Sequence, residues 1–120
     1  MLLFLSCEYS NSKNCRRELL KACALNRPLI VVHESDMAKG GAPLCELERE
    51  WNQAMAAWLP HPLTNEALAR VFENKQLVVP WHRLLPFQLA SLKVVAEKLM
   101  QALIHACRDA AGLLVEMQQV

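Results

Sequence analysis

The sequence predicts an α/β protein with a flavodoxin-like parallel sheet and flanking helices, incomplete at about three strands and three to four helices. Three observations support this prediction. Short apolar runs alternate with longer stretches in which apolar residues recur every three or four positions. The apolar runs are continuous, as in strands that are buried on both faces of a parallel sheet. Strands that alternate with helices along one chain favour a parallel sheet with right-handed crossovers.

The first strand and the first helix are predicted from the opening 25 residues. Leu2–Leu5 is a continuous apolar run and is typical of a buried strand. A polar segment follows, in which Ser10 or Ser12 can cap a helix that continues to about Leu25. The core face of this helix is predicted to contain Cys15, Leu19, Ala22, Cys23 and Asn26. The basic residues are expected on its other faces: Arg16, Arg17 and Lys21.

The second strand is predicted at Leu29–Val32, where three of the four residues are β-branched. Pro28 ends the preceding helix, because a proline disfavours helical geometry at the residue before it. After a loop, Pro43 suits the first turn of a helix from about Leu44 to Leu59. The spacing of three and four residues predicts a core-facing stripe in this helix: Leu44, Leu47, Trp51, Met55 and Trp58.

A third helix and a third strand follow. The helix is predicted at Asn65–Phe72, with Thr64 as its N-terminal cap. The strand is predicted at Leu77–Val79 and is closed by Pro80, since proline lacks the N–H that a strand interior requires.

The last helix is predicted to begin near Phe87. We expect it to fray or break between Asp109 and Gly112, because a glycine inside a helix costs about 1 kcal/mol relative to alanine. The chain is therefore divided into a domain at residues 1–108 and a helical extension or tail at 109–120. Spacing predicts that the core stripe of this helix is Leu92, Val95, Leu99, Leu103 and Ala106.

Composition argues against several classes of function. The chain has 13 basic and 12 acidic residues and a net charge of +1, which gives no electrostatic basis for binding nucleic acid or an anionic membrane. No apolar run approaches the roughly 18 residues of a membrane span. Five cysteines occur without a C-x-x-C pair, so neither a zinc cluster nor a disulfide framework is indicated. Reduced thiols suit a cytosol-like compartment, so we expect a cytoplasmic protein.

Three segments resemble TIR (Toll/interleukin-1 receptor-like) domains and follow each other in the order of that family. Residues 5–19 resemble the segment in which a strand ends in Leu-Ser and a helix opens with Trp-Cys-x-x-Glu-Leu. Residues 28–34 resemble the next TIR strand. Residues 78–92 resemble the last strand and helix of TIR-like domains of protist and algal proteins. The resemblance covers residues 2–105 and implies the C-terminal portion of a TIR domain, since a full domain has two more strands before it.

The resemblance implies a role in signalling and, in the enzymes of the family, cleavage of the nicotinamide–ribose bond of NAD. The motif glutamate is Glu18, which we expect to be catalytic. Positive charge develops on the ribose during such a cleavage, and a fixed carboxylate stabilises it. Ser6, Tyr9, Ser12 and Asn14 lie at the implied rim of the pocket, so we expect them to bind substrate. NAD is then a substrate, and no cofactor or metal is expected.

Other interpretations of these residues remain open. A glutamate near the start of a helix also suits the helix dipole, Ser12 can serve only as a cap, and Tyr9 can serve only in packing. A non-enzymatic TIR-type module would bind other TIR domains or itself through an exposed sheet edge. A flavodoxin-like nucleotide or response fold would need an acidic cluster at the strand ends. Only residues 33–36 hint at such a cluster, and a solvated loop explains them as well.

Overall fold

The protein was analysed as a computed structural model, which describes residues 1–55, 62–73 and 77–119. These residues form an α/β arrangement in which four helices flank a three-stranded parallel sheet, consistent with an incomplete flavodoxin-like fold. The predicted fold class is therefore confirmed. The strands, in their order across the sheet, are β1 (Leu2–Leu5), β2 (Ile30–Glu34) and β3 (Val79–Trp81). The helices are α1 (Lys13–Ala24), α2 (Leu44–Ala54), α3 (Asn65–Phe72) and α4 (Leu85–Gln118).

The two faces of the sheet carry different helices. Leu5 of β1 and Val31 of β2 join the main core with residues of α1, α2 and α3. Neighbouring residues of a strand point to opposite faces. Val32 accordingly belongs to a second, smaller cluster, which it forms with Val79 of β3 and Val95 of α4. Three helices therefore cover one face of the sheet, and α4 lies on the other.

The predicted stripe of α2 is confirmed where the structure describes it. Leu47 and Trp51 are fully buried in the main core. The residues that flank them in the stripe are half-buried against the same core: Leu44 and Met55. The rest of the predicted helix, residues 56–59 with Trp58, lies outside the described residues. The prediction of α3 and of its cap is also confirmed, since the Thr64 hydroxyl accepts a hydrogen bond from the N–H of Ala67 at 3.2 Å.

Helix α1 agrees with its predicted core face with two corrections. Leu19, Ala22 and Cys23 are buried as expected. Arg16 was predicted to lie on an outer face, but only 4% of it is exposed, because its guanidinium serves as a hydrogen-bond donor to the preceding loop. Asn26 was predicted on the core face, but it is exposed and has a φ of 49°, because the chain turns out of the helix there.

Both later strands lie further along the chain than predicted. β2 extends through His33 and Glu34, which were expected to follow the strand. β3 includes Pro80, which was expected to close it; Pro80 pairs with His33 in the parallel register. A proline is tolerated in an edge strand, where its missing N–H need not face a neighbour. Among the described residues, β3 pairs with β2 alone, so it offers such an edge.

Helix α4 begins at Leu85 and continues without interruption to Gln118. The predicted break between Asp109 and Gly112 is therefore wrong. Alanine, leucine, glutamate and methionine surround Gly112, and their helix propensities offset a cost of about 1 kcal/mol. No helix within the described parts of the chain is long and apolar enough to cross a membrane.

The predicted core stripe of α4 is also wrong at four of its five positions. Val95 is buried, whereas Leu92, Leu99 and Leu103 are 48%, 46% and 66% exposed, and Ala106 is exposed as well. The helix instead turns a polar residue towards the sheet. The buried Ser91 hydroxyl donates a hydrogen bond to the carbonyl oxygen of Pro80 at 2.6 Å. Spacing of three and four residues defines an apolar face, but it does not identify what covers that face.

Candidate functional site

Tyr9 occupies the turn between β1 and α1 and is held by aromatic packing. Its ring stacks on that of Trp51, with centroids 5.7 Å apart and an angle of 10° between the planes. Trp51 in turn meets Phe72 edge-on at 5.2 Å. Burial raises the pKa of the Tyr9 hydroxyl far above its usual range, and the neighbouring Cys15 and Glu18 add to the effect. Tyr9 is therefore a packing residue with a neutral hydroxyl.

Arg16 fixes the same turn to α1. Its guanidinium donates hydrogen bonds to the carbonyl oxygens of Ser10 and Asn11, at 2.8 and 2.9 Å. Ser10 is fully buried, and its hydroxyl donates to a carboxylate oxygen of Glu50 at 3.2 Å. Neither role was predicted: Ser10 was expected only as a possible helix cap, and Arg16 was expected on an outer face of α1. The only signal was their position within the stretch that resembles the TIR helix start.

Glu18 lies in the second turn of α1, exposed to solvent. It lines an open groove of about 570 Å³ beside the start of β1. Three basic residues line the groove with it: Arg17, Lys21 and Arg27. Its apolar lining consists of Met1, Ala22 and Leu25. The surface that faces the groove is almost wholly apolar, so the four charged residues line it mainly with their aliphatic carbons.

The other predicted substrate-binding residues lie apart from that groove. Ser6 donates its hydroxyl hydrogen to the carbonyl oxygen of Cys7 at 3.2 Å. Ser12 caps α1 by accepting a hydrogen bond from the N–H of Cys15 at 3.3 Å. Asn14 is exposed on the first turn of α1. Within the described parts of the chain, none of Ser6, Tyr9, Ser12 and Asn14 lines the groove of Glu18.

A half-buried ion pair lies at the C-terminal end of β2. Glu34 is fully buried, and one carboxylate oxygen accepts a hydrogen bond from the N–H of Asp36 at 2.8 Å. The other oxygen accepts from Nε of Arg83 at 2.8 Å and from a second N–H of the same guanidinium. The interpretation of residues 33–36 as a solvated loop is therefore wrong for Glu34. The described residues contain no group of three or more histidines, cysteines and acids that could hold a metal.

The loop after β2 folds back over the C-terminal edge of the sheet. A side chain at Gly41 would place its Cβ 2.4 Å from the carbonyl oxygen of Glu34, so only glycine fits there. The N–H of Cys7 donates to the carbonyl oxygen of Gly40 at 2.8 Å. Burial raises the pKa of the Cys7 thiol, and nearby Glu50 adds to the effect. Open α/β sheets usually bind ligands at this edge, but here the loop occupies the space beyond β1.

The outer side of β1 is the open side of the domain. β1 pairs with β2, and no strand among the described residues pairs with its other edge. Phe4 pairs in register with Val32, so both point to the face that carries α4. Leu2 and Phe4 are 52% and 41% exposed, although Phe4 contacts Trp81 edge-on at 5.8 Å. Within the described residues, β1 therefore has an unpaired edge beside exposed apolar side chains.

Comparisons of the chain with protein-family models, with curated proteins and with solved structures find no match in any of the three. The resemblance to TIR domains therefore remains an argument from the sequence motifs.

Proposed function

We propose that this chain is a TIR-type signalling module that acts by binding other TIR domains or further copies of itself. The observation that carries the proposal is the outer edge of β1, which is unpaired within the described residues and lies beside the exposed Leu2 and Phe4. A free strand edge offers backbone donors and acceptors to an incoming strand. Exposed apolar side chains next to it contribute surface that a partner can bury. The motif resemblance supports the choice of TIR domains as partners.

The proposed compartment is the cytoplasm. All five cysteines are free, and two of them, Cys45 and Cys107, are exposed. Exposed thiols persist in a reducing environment and are oxidised elsewhere, which supports this part of the proposal.

The test of the proposal places positive charge on the outer side of β1. The double variant Leu2→Lys/Phe4→Lys is compared with wild type in binding to purified TIR domains. Asn14→Lys is the control, since it adds a positive charge at an exposed position on α1. We expect the double variant to weaken binding roughly tenfold or more, because a buried unpaired lysine loses its hydration.

The circular dichroism of each variant shows whether the fold is retained. Equal binding by the double variant and by the control contradicts a role for this edge. Failure of the wild-type chain to bind any TIR domain or itself contradicts the proposed function as a whole.

A second candidate function is cleavage of NAD at Glu18. The observation that favours it is the groove in which Glu18 lies with Arg17, Lys21 and Arg27. Guanidinium and ammonium groups suit a pyrophosphate, and a carboxylate suits the positive charge that develops on a ribose.

Release of nicotinamide from NAD tests this candidate. Activity that is lost on Glu18→Gln and kept on Glu66→Gln would support it, because Glu66 is equally exposed but lies on α3. A wild-type chain that releases no nicotinamide at high protein concentration rejects the candidate and leaves the association function standing.

A further inference from the structure

Helix α4 carries an exposed apolar stripe that differs from the face by which it docks on the sheet. Ten apolar residues recur at alternating intervals of four and three along the helix. We call them the α4 seam: Leu85, Leu89, Leu92, Ala96, Leu99, Leu103, Ala106, Ala110, Leu113 and Met117. All ten are exposed. Intervals of four and three residues are the a and d positions of the heptad repeat of coiled coils.

The docking face of α4 follows a separate line of residues. Ser91 and Val95 are buried, and three further residues on the same face are only half-exposed: Gln88, Lys98 and Ala102. Val95 packs against Val32 and Val79, and Ser91 donates a hydrogen bond to the carbonyl oxygen of Pro80, which holds the helix against β2 and β3. The α4 seam lies about 80° around the helix from this line, as a rotation of about 100° per residue requires. The contacts that dock α4 on its own domain therefore leave the seam exposed, although Ala106 also lines a cleft with residues 25–28 of the same chain.

Charge distribution makes the α4 seam suitable for pairing with an identical surface. Every residue of α4 is described, and none of its charged residues falls on an a or d position. Three of them, Lys93, Asp109 and Glu116, lie beside the seam, and Arg108 lies on the opposite side of the helix. A second copy of the seam would therefore meet neither a like charge nor a charge that it must desolvate. An identical pair also satisfies the twofold symmetry that most homodimers have.

The seam is long enough for a stable dimer. From Leu85 to Met117 it extends about 50 Å at 1.5 Å per residue. This is more than four heptads, whereas three to four suffice to indicate a coiled coil. Its leucines and its methionine are between 46% and 74% exposed. With the three alanines they offer on the order of 800 Å² per chain, which is what each partner contributes to a standard specific interface.

We propose that α4 forms a coiled coil with α4 of a second copy of this chain, through the α4 seam. This inference rests on the proposed function, since it assumes that the chain acts by association, and it names the partner and a surface other than β1. The alternative occupants are a lipid surface and a helix of another protein. A second copy is favoured because the repeat, the absence of charge at its positions and its area all match the requirements of a self-complementary seam.

The experiment measures the oligomeric state of the full chain by sedimentation velocity over a wide range of concentrations. We expect a dimer for wild type and a monomer for Leu99→Glu/Leu103→Glu, with a dissociation constant raised roughly a hundredfold or more, because each chain then carries two charges into the seam. Gln101→Glu/Ile104→Glu is the matched control. It adds the same charge at exposed positions off the seam, and Ile104 is 49% exposed, so it should remain dimeric.

Circular dichroism and near-ultraviolet signals verify that the variants fold. Wild type that is monomeric at high concentration overturns the inference, as does a control variant that dissociates as readily as the seam variant. Binding of the monomer to lipid vesicles through the seam also overturns it. Self-association that survives in the seam variant but is lost in Leu2→Lys/Phe4→Lys overturns the inference and leaves the proposed function intact. If Leu2→Lys/Phe4→Lys loses TIR binding but remains a dimer, the result supports both the proposed function and the α4 coiled coil.

Discussion

Helices α2 and α4 have the same kind of apolar pattern, but the pattern is buried in α2 and exposed to solvent in α4. In α2, Leu47 and Trp51 lie four residues apart and are fully buried by β1, α1 and α3. In α4, Leu99 and Leu103 lie four residues apart and are 46% and 66% exposed. Both helices are amphipathic by spacing, yet only one faces a completed core. The comparison shows that an apolar stripe determines which side of a helix must be buried. The surrounding elements determine whether residues of the same chain bury it.

The two faces of the sheet should therefore contribute differently to the free energy of unfolding. The main core joins five elements around Trp51 and Leu19, whereas the cluster on the α4 face comprises Val32, Val79 and Val95 with Trp81 beside them. Substitutions in the first should lower the free energy of unfolding of the isolated chain. Substitutions on the seam should act on association instead.

The largest effect is expected for Trp51→Ala. Trp51 is fully buried between Tyr9 and Phe72, so its removal leaves a cavity that should lower the free energy of unfolding by about 3–5 kcal/mol. Urea denaturation followed by circular dichroism measures it. Trp51→Phe is the control and should cost less, because the buried indole N–H has no hydrogen-bond partner to lose in the described structure. If Trp51→Ala lowered the free energy of unfolding by less than a substitution on the α4 seam does, the proposed difference between α2 and α4 would be contradicted.

The next largest effect is expected for Arg83→Ala, which tests the ion pair that ties the start of α4 to β2. The variant leaves the buried Glu34 carboxylate with the N–H of Asp36 but without its cation. We expect a loss of roughly 2 kcal/mol, below the usual range for a buried pair because Arg83 is 44% exposed. Arg83→Lys should recover part of it. Denaturation midpoints equal to that of wild type would show that the pair contributes little.

Tyr9 should make the packed side sensitive to alkaline pH. Its pKa in the folded chain is raised by burial, so above a pH of about 10 the unfolded chain loses the phenolic proton first. The contribution of neutral Tyr9 to the free energy of unfolding is therefore fully present below that pH. Above it, the free energy of unfolding falls by up to about 1.4 kcal/mol per pH unit. Tyr9 is the single tyrosine, so its ultraviolet absorbance reports the titration directly. Tyr9→Phe should remove this part of the pH dependence; an ordinary titration midpoint would contradict it.

A smaller effect is expected for Ser12→Ala, which removes the cap of α1. The N–H of Cys15 loses its acceptor, at an expected cost of about 1 kcal/mol. Ser12→Asp should retain the stability of wild type, because aspartate caps equally well. If Ser12→Ala instead abolished binding of a nucleotide without changing the denaturation midpoint, Ser12 would belong to a ligand site and not only to the helix start.

The smallest effect is expected for Leu103→Ala in dilute protein. Leu103 is 66% exposed, so its truncation should change the stability of the monomer by no more than about 0.5 kcal/mol. At high concentration the same variant should melt at a lower temperature than wild type, because a dimer gains stability with concentration. A large loss in the dilute monomer would mean that the α4 seam packs within its own chain.

Several elements could be predicted because the signal is local. The apolar run of β1 and the cap and spacing of α3 identified their bounds correctly. The displaced bounds of β2 and β3 have a nonlocal cause, since the register between Val32 and Val79 draws Pro80 into an edge strand. The continuous α4 depends on the propensities of many residues together, which outweigh Gly112.

The candidate site was less accessible from the sequence. Ser12 as a cap and Tyr9 as a packing residue could be anticipated, because capping and aromatic burial follow from local chemistry. The burial of Arg16 could not, because its acceptors are backbone carbonyls of a turn whose path the sequence does not specify. The pairing of Glu34 with Arg83 joins residues 49 positions apart and depends on the sheet register.

The sequence by itself determined the alternation of strands and helices, the amphipathic character of each helix and the motif in which Glu18 stands. These properties depend on residue type and on spacing within one element. Only the tertiary structure decided which apolar stripe is covered, because cover comes from elements that are distant along the chain. It placed α2 inside a core and left the α4 seam in solvent, and it separated Glu18 from the serines that share its motif.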